Sequence, residues 1–188
     1  ALAVALGALA PREDAQAPAL SAGVSGIACP GEDDALAIFI PLPDADDSAL
    51  AALRALGHLY APRFFQRLRV ELRLGYAVSA RALRVADVDG ILLAVQSPDT
   101  GWRTLLRRGK DFLREVTFSA DALEEARRAL RAEAVFPAEE ALRRRWGLPE
   151  VSEAAIAGIT LAQVEALHRR LCRRRRRWRV LITAKEAE

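Results

Sequence analysis

Arg69 and Tyr76 stand seven residues apart in FFQRLRVELRLGYAV, residues 64–78. A guanidinium keeps its proton at any working pH, and a phenol is a neutral donor at pH 7, so the two are hydrogen-bond donors for an oxygen. Each has an ordinary reading by itself. An arginine near a helix C-terminus serves carbonyls and the helix dipole. A tyrosine opening a strand is half-buried filler. Their place inside R-x-x-x-x-L-G-Y, ahead of a hairpin that ends in Gln96-Ser97, weakens both ordinary readings.

The other reactive residue types are scattered. His58 and His168 are the only histidines. A zinc site needs three protein ligands that converge, so neither reads as a ligand and no metal is expected on this chain. Cys29 and Cys172 lack metal-ligand spacing and read as free, buried thiols. A reducing cytoplasm fits them, with the periplasm as the alternative. Asp44, Asp46 and Asp47 precede a helical stretch and read as helix caps, since calcium needs more oxygens in an ordered loop. G-x-G-x-x-G, P-loop and G-x-S-x-G patterns are absent, which removes phosphate cradling and the common serine-hydrolase chemistry.

Arg173 to Arg177 contribute five positive charges, more than the whole net charge of +3. The basicity is therefore local. Five arginines beside Trp178 could meet a phosphate backbone. The plainer reading is a solvated helix end, because no nucleic-acid fold pattern surrounds the run. Contact with an acidic surface elsewhere in a larger protein is the preferred partner role. No nucleic acid and no membrane is expected as a partner: the longest apolar opening, residues 1–10, is far too short to span a bilayer. The chain begins with alanine and contains no methionine, so it is expected to be a piece of a longer protein.

The elements that must position Arg69 and Tyr76 follow from periodicity. Residues 1–19 read as the tail of a preceding element and a proline-containing linker, and 20–188 as one domain. Strands are expected over 20–29 and 35–42, separated by a turn that ends at Asp33-Asp34. Leu50, Leu53, Leu56 and Tyr60 recur at helical spacing, and Phe64, Phe65, Leu68 and Leu72 continue the face. Pro62 is expected to kink or restart this helix. Gly75 is expected to end it in the left-handed conformation. Residues 76–85 and 91–96 alternate as an antiparallel hairpin about Asp87–Gly90. Trp102, Leu105, Leu106, Gly109, Phe112, Leu113 and Val116 mark one helix. Ser119 caps the next, running to about Phe136, with a short helix after it over 138–146. Thr160 and Gln163 form a capping box for a last helix to about Arg173, and 178–184 closes the fold as a strand. Strands in adjacent pairs with clustered helices make an α+β domain: a largely antiparallel sheet of about five strands with helices on one face.

The segment 64–78 with GILLAVQS, residues 90–97, resembles the C-terminal region of the pitrilysin/insulysin family of zinc metallopeptidases. RLRVELRLGYAV and VQSP look most like the branch that serves pyrroloquinoline quinone biosynthesis. The resemblance covers roughly residues 35–184 and is strongest over 64–97. It implies a non-catalytic, chamber-forming domain, whose partners are the N-terminal catalytic half of the same peptidase and a peptide substrate. In that family an arginine and a tyrosine matching Arg69 and Tyr76 help bind the peptide and stabilise the oxyanion. Fixed donors of this kind are worth about 3–4 kcal/mol each. Zinc is held in another domain by H-x-x-E-H, a motif that this chain lacks. Arg73 stands where the family often has glutamine, so no role is carried over to that side chain. The alternative from another class is a catalytically inactive family member that serves as a peptide-binding or scaffolding subunit.

Overall fold

The computed structural model describes residues 23–28, 33–85, 87–133 and 151–184. The expected linker over 1–19, Cys29, the expected helix end near Phe136 and the expected helix over 138–146 lie outside the described residues.

Five strands form one sheet: β1 (Gly23–Ala28), β2 (Asp34–Leu42), β3 (Ala77–Val85), β4 (Val88–Ser97) and β5 (Arg179–Ala184). Their spatial order is β1-β5-β2-β4-β3. The fold is α+β and the sheet is mostly antiparallel, as the patterning implies. The β3–β4 hairpin is tight, with Val85 opposite Val88. One arrangement departs from the expectation of strands in adjacent pairs. β5 sits between β1 and β2 and runs parallel to β1. Pairing between chain ends depends on which edge the last helix delivers the strand to, and local patterning carries no record of that.

Period-two alternation sorts the strands into two faces. Leu36, Ile38 and Ile40 of β2, Ile91, Leu93 and Val95 of β4, and Val180 of β5 are buried beneath the helices. The first helix, α1 (Asp47–Phe65), begins at Asp46, whose carboxylate accepts from Ala49 N at 2.7 Å, so the capping reading of the aspartate cluster holds. Asp47 instead accepts from Ser152. α1 is buried nearly all round, alanines 51, 52 and 55 included, because it lies between the sheet and the outer helices. At Gly57 an added Cβ would come within 2.7 Å of Ala82 N, so a side chain there would lift α1 off β3.

Pro62 does not restart the helix: α1 continues through it. The change of register comes further on, where residues 66–71 form a π-helical segment and Leu72 N donates to Arg67 O. α2 (Trp102–Glu115) packs on the sheet against β2 and β5, and the outer helices against α1 are α3 (Ala120–Ala132), α4 (Glu153–Gly158) and α5 (Leu161–Arg173). Ser119 caps α3. The Thr160–Gln163 capping box forms as the sequence implies. The arginine run is the exposed end of α5 and a 3₁₀ turn over Arg175–Arg177. Trp178 beside it is buried, with Nε1 donating to Leu171 O at 3.1 Å, so it offers no stacking surface.

A polar cluster ties α5 to α1. The Tyr60 hydroxyl lies 2.6 Å from His168 Nδ1, and Cys172 Sγ lies 3.7 Å from the same nitrogen. Phe112 and Phe118 flank the Tyr60 ring. Burial pushes the Cys172 thiol up to about 11. Burial first, and Arg169 second, hold His168 below the usual imidazole range, against the opposing pull of Glu165. An imidazole depressed in the folded state binds its proton more weakly there than in the unfolded chain. Its stabilising contribution is therefore whole above the unfolded pKa, about 6.5, and is lost as pH falls toward the lower folded value. The urea midpoint of the chain is expected to drop between pH 7.5 and pH 5, and His168→Gln is expected to flatten part of that slope. An unchanged slope in His168→Gln counts against the assignment.

Candidate functional site

Arg69 and Tyr76 flank the exit from the helical layer. Arg69 lies on the π-helical segment, and its Nη1 donates to Gly75 O at 2.9 Å. The guanidinium is thus tied to the residue before Tyr76. The turn between them is not built on glycine, contrary to expectation. Arg73 takes the left-handed conformation, φ 52°, and Leu74 N returns to Leu68 O at 2.9 Å. Gly75 is required for another reason. A Cβ there would lie 2.4 Å from Gln96 O, so any side chain would push the junction away from β4. That close approach lets Tyr76 N donate to Gln96 O at 3.1 Å, which starts β3.

The Tyr76 side chain is 48% exposed, and its hydroxyl donates to Asp33 Oδ2 at 2.5 Å. Gln96 Nε2 donates to the same oxygen at 3.0 Å. The hydrogen bond to Asp33 is the main cause that raises the Tyr76 phenol above its ordinary pKa, with burial and the carboxylate's charge behind it. Asp33 and Gln96 did not emerge from the sequence as site residues: Asp33 read as turn and Gln96 as the end of a strand. The usable signal was the doubled aspartate ahead of β2. Strand alternation sends the two carboxylates apart. Asp34 accepts from Trp102 N at 2.9 Å, at the start of α2, while Asp33 reaches Tyr76.

The surroundings are the face of the sheet that no described helix covers. Ala35, Ala37, Ala77, Ser79, Ala94 and Leu181 line a shallow groove of about 450 Å³, with exposed Phe65 and Tyr76 beside them. The small side chains keep the floor flat and nearly free of charge. An extended chain would lie against it without burying an unpaired ion.

The two histidines stand apart in their partners. His58 Nε2 is 2.9 Å from Glu133 Oε1, and His168 belongs to the Tyr60 cluster. Among the described residues no group of three or more His, Cys, Asp or Glu is arranged to hold a metal ion. No described helix is long and apolar enough to cross a membrane.

Residues 55–145 match a family described as "PQQ synthase PqqF-like, C-terminal lobe domain 4". Coenzyme PQQ synthesis protein F of Klebsiella pneumoniae is 48% identical over 168 residues, which cover 86% of this chain and 22% of that protein. The protein of the same name from Pseudomonas aeruginosa is 41% identical over 91 residues, 48% of this chain and 11% of that one. The chain therefore spans about a fifth or less of the length of these curated relatives. In fold it is similar to pitrilysin, with a TM-score of 0.67 and 22% identity over 86% of this chain and 19% of that one. It is similar as well to a peptidase M16 inactive domain from Pseudomonas fluorescens, with a TM-score of 0.66 and 15% identity over 88% and 44%. The periplasmic protease PqqL of Escherichia coli has a TM-score of 0.62 and 16% identity over 87% and 22%.

Proposed function

We infer, from a chain whose residues 55–145 fall in the PqqF-like C-terminal lobe family, that it is the substrate-handling part of a zinc metallopeptidase. In this reading it forms one wall of the chamber in which a small precursor peptide is processed for pyrroloquinoline quinone synthesis. The N-terminal half of the same peptidase is its partner and carries the zinc. Arg69 and Tyr76 supply the donors: the charged guanidinium holds the peptide, and the phenol meets the oxygen on which negative charge develops. The observation that supports this best is the junction itself. Arg69 is held by Gly75 O and Tyr76 by Asp33, and Tyr76 opens onto the groove that no described helix covers.

In this division of labour the purified chain holds no stoichiometric zinc after dialysis and cleaves no peptide, while the full-length protein holds zinc and cleaves the peptide. Tightly held zinc together with peptide hydrolysis by the chain alone overturns the reading. If the remainder of the protein lacks H-x-x-E-H, the inactive, peptide-binding alternative takes its place.

A further inference from the structure

We propose that Asp33 is a positioning residue that holds the Tyr76 hydroxyl in reserve and yields it only to an oxygen carrying full negative charge. This rests on the substrate-handling reading above and deepens it. A phenol has one proton to donate. In the substrate-free chain that proton goes to Asp33 Oδ2, whose position is set by a second donor, Gln96 Nε2. The support is rigid, because Gln96 also accepts from Tyr76 N, and Gly75 lets the two strands close to that distance.

A hydrogen bond to a carboxylate is roughly twice as strong as one between neutral groups. The neutral carbonyl of a bound peptide is therefore the weaker acceptor and leaves the phenol on Asp33. An oxyanion is an acceptor of the same class as the carboxylate, so the hydroxyl can transfer its hydrogen bond as charge develops. No covalent bond changes in this exchange: the O–H stays intact, and Gln96 Nε2 remains on Asp33. The donation to substrate then exists only in the transition state, which is the condition under which it raises kcat rather than lowers KM.

The test uses the full-length protein and a peptide that it cleaves. Asp33→Asn keeps the shape and an accepting oxygen but removes the charge, so less is lost when the phenol leaves. The expected result is a rise in kcat/KM of about fivefold to tenfold, the difference between a charge-assisted and a neutral hydrogen bond. In a Tyr76→Phe background the gain should shrink at least threefold, leaving only the field of the removed charge. Direct spectroscopy on the isolated chain, rather than the full-length protein, supplies a second readout. The chain has two tyrosines, and Tyr60 is buried with its phenol well above the usual range. The first phenolate to appear in an ultraviolet titration is thus Tyr76, and Asp33→Asn should bring it to lower pH.

Lower kcat/KM in Asp33→Asn, an equal gain with and without the Tyr76 hydroxyl, or an unmoved phenolate transition each overturns the proposal. These outcomes differ from failure of the underlying reading, which is marked by an unchanged kcat in Tyr76→Phe alone.

Discussion

In the full-length protein that carries this chain, Tyr76→Phe is expected to lower kcat by roughly ten- to a thousandfold and to leave KM little changed. The substitution removes one hydroxyl and keeps the ring. Tyr76 is half exposed, so no cavity opens and the melting temperature should stay near that of the parent. Arg69→Lys should also depress activity although it keeps the charge. The Arg69 guanidinium donates to Gly75 O and has further N–H groups in a planar fork. An ammonium has neither the fork nor the reach. Steady-state kinetics beside thermal unfolding separate the two roles that Tyr76 could play. If kcat survives in Tyr76→Phe, or if the only effect is a lower melting temperature, Tyr76 is packing material.

The largest loss of stability is expected from Phe64→Ala, about 3–5 kcal/mol. Phe64 is 1% exposed and meets Phe112 edge to face, with ring centroids 5.0 Å apart. It stands at the end of α1, where that helix passes into the π-helical segment that carries Arg69. Truncation leaves a cavity between α1 and α2 and removes the aromatic contact. For a domain of this size the melting temperature should fall by roughly 10 °C. The urea midpoint should move while the slope of the transition stays constant, since the surface exposed on unfolding hardly changes. A loss under about 1 kcal/mol would mean that this end of α1 is loosely packed, and the support claimed for Arg69 would go with it. Because Phe65, the next residue, is 46% exposed, Phe65→Ala serves as the control and should cost little.

The α+β class, the mostly antiparallel sheet, the β3–β4 hairpin and the caps at Asp46, Ser119 and Thr160 were legible from residue types and spacing alone. Each depends on chemistry between residues close in the chain: alternation along a strand, a side-chain oxygen three residues from an amide, a turn too short for a crossover. Arg69 and Tyr76 stood out as two donors seven residues apart across one junction, and the role proposed for them came from the family resemblance. The tertiary structure decided what distance in sequence hides. β5 enters between β1 and β2 because the sheet closes on the strand that the last helix delivers. The alanines of α1 are buried because the outer helices cover them, although no apolar stripe marks them out. Pro62 is tolerated, Arg73 rather than Gly75 takes the left-handed turn, and Gly75 is needed for the approach of β4, a constraint set by a residue 21 positions away. Asp33 became a partner of Tyr76 only when β2 and β4 brought residues 33, 76 and 96 to one corner of the sheet. A hydrogen bond between residues 43 apart has no local signature, because the free energy that places them together comes from burying the apolar face beneath, not from the polar groups themselves.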